Sequence, residues 1–351
     1  MNLNDMDRFR LIDPENFLGH IQTLPEQLQT AWNLGQSLSL SLKQGIKTIL
    51  IAGMGGSAIG ADLLAAYLAN SCAIPVYILR DYELPTWAEG SKTLVIASSH
   101  SGDTEETFSI FEQALENRCQ VLSISSGGKL TAAAQKAGVP AWTFEHEGQP
   151  RAAVGYTFGL LLALVSRLGL ITDQEKEISS TVQAMHSQQA HFEPDVPVVK
   201  NPAKRMAGQL YGRWVTIMGS GYLAPVARRW KCQINEVAKA WAQFEFLPEA
   251  DHNTLAGCFY PSELINQMMV LFLQAPSDHP RNRLRSDLTR KGFMLQGMNT
   301  DFINAVGDVP MAHMWTVLHY GDYVSYYLAM AYEVDPSPVG VIQELKDEMK
   351  R

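Results

Sequence analysis

The chain has 351 residues, of which 46% are hydrophobic and 18% charged. That mixture holds enough apolar material for about two folded domains and excludes a disordered, collagen-like or coiled-coil chain. Its 36 acidic against 28 basic residues leave a formal charge of −8, which argues against a nucleic-acid surface; a few local donors would still suffice for one phosphate.

The chain opens with MNLNDMDRFRLIDPENF, a polar segment without an apolar leader core, so we expect a cytoplasmic protein with no membrane partner. Residues 26–44 space Leu28, Trp32, Leu38 and Leu42 loosely as a helix. A β-branched run over 48–52 then enters the glycine-rich GMGGSAIG (53–60) and a helix pattern. Apolar runs at 76–79, 93–97 and 120–124 predict further strands, with helices over 103–116 and 130–137. Strands alternating with helices predict an α/β fold, a parallel sheet covered on both faces. The longest apolar stretch, TFGLLLALVSRLGL (157–170), is broken by Ser166 and Arg167; too short to span a bilayer, it reads as a buried helix.

Residues 171–200 turn polar, and the prolines of HFEPDVPVVKNP mark a linker. A second strand, turn and helix follows in WVTIMGSGYLAPVARRWKCQINEVAKA (214–240). Its opening resembles that of 48–69 at a separation of about half the chain, which suggests two related α/β domains. LINQMMVLFLQ, DFINAVGDV and the helix-like MAHMWTVLHYGDYVSYYLAMAYEV continue the second half, and after DPSP (335–338) a helix VGVIQELKDEMKR closes it. The expected division is a first domain over 1–170, a helical excursion and linker over 171–205, and a second domain over 206–351. Cys72, Cys119, Cys232 and Cys258 form no C-x-x-C pair and read as buried free thiols rather than metal ligands or a disulfide framework.

Two turns carry the chemistry. In GMGGSAIG a strand gives way to a helix at Gly55, Gly56 and Ser57, where exposed N–H groups suit an anion; no G-K-[ST] follows, so it is not a Walker loop. In SSHSGDTEETF (98–108), Ser99, Ser101 and Thr104 put hydroxyls at another strand-to-helix turn, with Gly102 permitting close approach. Asp103 and Glu106 also have capping-box spacing, so a plain helix cap competes at this turn. A cap leaves Ser99 and Ser101 unexplained, and the two turns together favour phosphate.

IAGMGGSAIGADLL and SSHSGDTEET resemble the two phosphate-binding segments of a sugar isomerase (SIS) domain. INEVAKA (234–240), LPEADHNTLAG (247–257) and GDYVSYYLAMAYEVDPSPVGVIQELK (321–346), in that order, resemble the bacterial and archaeal bifunctional phosphoglucose/phosphomannose isomerases. NEVAK stands where that family more often has NENAK, and Asp103 where SIS loops commonly carry asparagine. The resemblance implies two SIS-type domains, each a parallel sheet flanked by helices. It implies a homodimer acting on a sugar phosphate, with Gly56, Ser57, Ser99, Ser101 and Thr104 around the phosphate.

Aldose–ketose isomerisation moves a proton between C1 and C2 through a cis-enediolate. It needs one base, a positive group near the developing charge and an acid/base to open the sugar ring. By spacing, Glu236 is an exposed helix glutamate paired with Lys231 or Lys239; the resemblance makes it the base. His252, in a polar loop, becomes the ring-opening group, contributed in related isomerases across a dimer interface. Lys346, otherwise a solvated residue of the last helix, would assist it, and Arg151, before the long apolar helix, would stabilise the enediolate. His313 and His319 lie six apart, off a metal-ligand pattern, and read as packed; neither metal nor cofactor is expected for a proton transfer. The competing reading is a phosphosugar-binding SIS regulator without catalysis, which would keep the serine loops but need not keep Glu236, His252 and Lys346. An amidotransferase-type isomerase would need an N-terminal nucleophilic cysteine, and the first cysteine here is Cys72.

Overall fold

The structure, a computed structural model, describes residues 2–349. In chain order the strands are β1 (Thr48–Ala52), β2 (Val76–Leu79), β3 (Thr93–Ser98), β4 (Gln120–Ser125), β5 (Ala141–Thr143), β6 (Trp214–Gly219), β7 (Ala242–Phe246), β8 (Met268–Gln274) and β9 (Asn299–Asn304). The helices of the first half are α1 (Met6–Ile12), α2 (Phe17–Gln22), α3 (Leu24–Ser37), α4 (Gly55–Leu68), α5 (Glu105–Glu116), α6 (Gly128–Ala137) and α7 (Val154–Arg167). Those that follow are α8 (Glu175–Gln189), α9 (Pro202–Leu210), α10 (Ala224–Val237), α11 (Ser262–Ile265), α12 (Pro280–Leu295), α13 (Pro310–Tyr332) and α14 (Gly340–Met349).

The chain divides into two compact units: residues 23–183 with 307–312, and residues 1–22, 184–306 and 313 onward. The first 22 residues therefore group with the second sheet, whereas the sequence reading assigned them to the first domain. Aromatic packing explains this: Phe9 of α1 stands edge-on to Tyr326 of α13, with ring centroids 6.2 Å apart. The polar excursion is ordered, with α8 occupying most of its first half.

The first unit is built on a five-stranded parallel sheet of order β2-β1-β3-β4-β5. Strands β3 and β4 are buried at all six positions each, as a parallel strand covered on both faces requires. Leu50, Ala52, Val95 and Ala97 point to one face, against Ile110 and Phe111 of α5 and Leu130 of α6. The alternate residues Ile49, Ile51, Leu94 and Ile96 are buried on the other face. Helix α7, predicted from its apolar run, is buried almost throughout and packs on α3 and α4. Residues 38–44, expected to continue α3, leave the helix at Leu38, and the Ser39 carbonyl instead accepts the indole N–H of Trp142 at 2.8 Å.

The second unit carries a four-stranded parallel sheet of order β7-β6-β8-β9. Met218, Val270 and Phe272 pack against Phe293 of α12. Arg229 of α10 makes a two-pronged bond to Asp322 of α13, at 2.8 and 3.2 Å, and both side chains are buried. All four cysteines are free, but only Cys258 is buried; the other three are partly exposed, contrary to the expectation for the set.

Candidate active site

Strand order alone locates a crevice in the first sheet. Helix α4 leaves β1 toward β2, while α5 leaves β3 toward β4 on the other side. The loops after β1 and β3 therefore diverge at the carboxyl edge, the place where open α/β sheets bind ligands. These are the two loops that the glycines and hydroxyls marked in the sequence.

Ser57 and Ser99 are buried, Thr104 is half-buried and Ser101 is exposed. Ser57 Oγ accepts the His100 N–H at 3.2 Å, Ser99 Oγ accepts that of Gly102 at 3.1 Å, and Ser101 Oγ accepts that of Asp103 at 3.2 Å. Ser99 and Thr104 share a hydroxyl–hydroxyl bond of 2.8 Å. A hydroxyl that accepts from the backbone keeps its own proton to donate, and a phosphate dianion is an acceptor. The loop thus presents several O–H donors without a lysine.

The capping-box reading of Asp103 and Glu106 is corrected here. Thr104 is the N-cap residue of α5 and makes no side-chain capping bond, while Asp103 turns away to accept the Lys129 N–H at 3.2 Å. The position that could have capped the helix instead shares its hydroxyl with Ser99. Gly102 explains the loop's shape: its φ is +73°, and a Cβ there would lie 1.9 Å from the Gly127 carbonyl oxygen.

Arg151 lies in a single 3-10 turn over 150–152, between β5 and α7, and is buried. Gly56 explains how that turn meets α4, because a Cβ at 56 would stand 2.5 Å from the Pro150 carbonyl oxygen. One unit thus brings Gly56, Ser57, Ser99, Ser101, Thr104 and Arg151 together at one end of its sheet. The sequence reading missed His100 and His146, whose ring nitrogens meet at 2.9 Å beside these loops. His100 stands inside the hydroxyl motif, but nothing in the sequence signals His146, which arrives through the pairing of β4 and β5.

Glu236, Lys346 and His252 belong to the other unit. Glu236 sits half-buried in the last turn of α10. Lys239, with φ +55°, donates from Nζ to the Glu236 carbonyl oxygen at 2.6 Å and reaches the Pro336 carbonyl at 3.4 Å. The DPSP segment that leads into α14 is therefore tethered beside Glu236. Lys346 is an exposed residue of α14, six residues into the helix.

His252 is exposed on a 3-10 turn over 249–252, beyond β7. Its neighbour Asp251 anchors the turn to α12, accepting from Arg285 Nη1 at 2.8 Å and Thr289 Oγ1 at 2.6 Å. Glu236 precedes β7 and His252 follows it, so the two stand at opposite ends of a strand about 16 Å long. One copy of this unit does not bring them together. His313 and His319, read as packed, are buried on α13, where they meet Ser277 Oγ at 2.9 Å and the Ile21 carbonyl at 2.8 Å.

Among the described residues, no group of three or more His, Cys, Asp or Glu side chains could hold a metal ion. No helix among them is long and apolar enough to cross a membrane.

Residues 199–349 match the family described as the bacterial phospho-glucose isomerase C-terminal SIS domain. Across 334 residues the chain is 40% identical to a bifunctional phosphoglucose/phosphomannose isomerase of Caldicellulosiruptor bescii, spanning 94% of this chain and 97% of the relative. A protein of the same name from Aquifex aeolicus is 32% identical over 306 residues, 87% of this chain and 91% of its own. A hypothetical protein of Thermus thermophilus shares the fold, with a TM-score of 0.75 at 17% identity over 98% and 93% of the two chains.

Proposed function

This chain belongs to the family of bifunctional phosphoglucose/phosphomannose isomerases, and from that premise we propose that it interconverts glucose 6-phosphate, and mannose 6-phosphate, with fructose 6-phosphate. The observation that carries the substrate class is the gathering of hydroxyl donors and a buried arginine at the switch point of the first sheet. That set suits a phosphate beside a carbonyl that must take up negative charge.

In this reading Gly56, Ser57, Ser99, Ser101 and Thr104 hold the phosphate and Arg151 stabilises the enediolate. Glu236 takes the proton from one carbon and returns it to the other, so the reaction consumes neither acid nor base overall. His252 moves the proton between ring oxygen and anomeric hydroxyl during ring opening, with Lys346 assisting. Glu236 and His252 serve one substrate only when a second copy of the chain supplies His252. Their positions at opposite ends of β7 support a homodimer whose sites are shared. Substrates of this kind are met in the cytoplasm.

Incubation of the purified protein with fructose 6-phosphate, with both aldose phosphates assayed, tests the reaction. Ser101→Ala should raise KM with a smaller loss of kcat, because the phosphate is gripped in ground and transition states alike. Tight sugar-phosphate binding with no turnover would favour the regulator reading.

A further inference from the structure

Two histidines stand between the hydroxyl loop and the arginine turn, and no role above uses them. His100 Nε2 and His146 Nδ1 are 2.9 Å apart, a distance at which one imidazole donates and the other accepts. The rings meet at 84°, and both are held in an aromatic setting. Phe144 stands edge-on to His100 at 5.8 Å, Tyr156 edge-on to His146 at 5.9 Å, and Phe144 and Tyr156 stack at 5.0 Å.

The backbone of His100 ties the same point to the other loops. Its N–H is the one that Ser57 Oγ accepts, and its carbonyl oxygen accepts from Ser126 N at 2.9 Å and Ser126 Oγ at 2.6 Å. His146 lies four residues before Pro150, whose carbonyl oxygen is in contact with the start of α4. The imidazole bond therefore closes a ring of contacts through the loops after β1, β3 and β5.

We propose that the His100–His146 pair is a proton-sensitive clasp that positions the phosphate loop against the Arg151 turn. The proposal rests on the phosphate reading above. A bond between two imidazoles needs a lone pair on one of the facing nitrogens. When both facing nitrogens carry protons, two N–H groups oppose each other at bonding distance, and the clasp opens. One imidazolium still donates to the other ring's lone pair, so opening requires a proton on both rings; burial, which holds His100 below the usual imidazole range, places that step in acid. The charged or titratable groups on these elements are Glu145 and Glu147 on the segment of His146, Asp103 on the loop after β3, Lys129 in the first turn of α6, Arg151 on the turn before α7, and Tyr156 of α7, whose ring faces His146.

The test compares KM for fructose 6-phosphate in the parent and His146→Ala between pH 5 and pH 8. The substrate phosphate titrates identically in both, so the ratio of the two KM values isolates the clasp. At pH 8 the ratio should be about 5–10, the worth of one lost hydrogen bond, with kcat held within about threefold. It should fall as the pH is lowered, because the parent's clasp opens in acid while the variant has none to lose. His146→Asn, whose amide can accept from or donate to His100 and does not titrate, should keep a KM near the parent's at pH 8 and lose less affinity in acid. A ratio that is flat with pH or rises toward acid overturns the proposal, as does a loss confined to kcat. Ser101→Ala separates the two claims. If it raises KM while His146→Ala does not, only the clasp is wrong; if neither changes KM, the phosphate reading falls as well.

Discussion

At the scale of single residues, the sharpest claim concerns Glu236. Glu236→Gln preserves size and hydrogen-bonding shape but removes the basic oxygen, so kcat should fall about 10²–10⁴-fold, the usual contribution of a positioned base. KM should change far less, because the hydroxyl loops belong to another part of the chain. Exchange of the C2 hydrogen of glucose 6-phosphate with solvent should be suppressed in step with turnover; exchange that persists at the parental rate would move the base elsewhere, with Glu249 next to test. His319 supports a stability prediction. Burial pushes its pKa down to about 4, so the unfolded chain takes up a proton near pH 6.5 while the folded chain resists until about pH 4. The stabilisation associated with neutral His319 is thus fully present above pH 6.5, and about 3 kcal/mol of it is lost as the pH falls toward 4. His319→Gln, which can still donate to the Ile21 carbonyl, should flatten that acid slope in urea unfolding. An unchanged slope would show that other groups govern it.

The elements show which parts of the site local chemistry specifies. The loops after β1 and β3 were legible in the sequence because glycines and hydroxyls at a strand-to-helix turn leave a local pattern. Gly102 shows how closely that pattern is tied to structure: its left-handed φ and its contact with Gly127 exclude a side chain. Gly102→Ala should therefore shift the loop, raising KM at least tenfold and lowering stability by about 1–3 kcal/mol, as measured by phosphate-dependent kinetics and thermal unfolding. Parental kinetics in this variant would mean that the loop's shape does not determine phosphate capture. The short strands β5 and β7 were not legible. AWT has three residues, and AQFEF alternates weakly with a charge in its run. Both are edge strands, chosen by pairing with β4 and β6 rather than by their own composition. The Asp103 cap misled because its spacing fits a capping box, yet the carboxylate finds the Lys129 N–H in the first turn of α6, 26 residues away.

For the whole molecule, the second glycine–serine turn after β6 was read as resembling the first, and the two sheets share one order, β2-β1-β3-β4 in the first and β7-β6-β8-β9 in the second. The grouping of residues 1–22 with the second sheet was not legible, because it depends on aromatic contacts across more than 300 residues of chain. The placement of Glu236 before β7 and His252 after it has a consequence for assembly. In a symmetric dimer with shared sites, each site takes Glu236 from one copy and His252 from the other. Glu236→Gln and His252→Ala homodimers should each be nearly inactive. Mixed and allowed to exchange subunits, equal amounts should form heterodimers in about half of all pairs, each with one site of two intact parental residues and one doubly altered site. Activity should then rise to about a quarter of the parental value, and it should do so only under conditions that permit exchange. If native mass spectrometry shows exchanged heterodimers but activity stays at the level of the separate variants, His252 serves its own copy. Its turn after β7 would then have to move the length of the strand to reach Glu236.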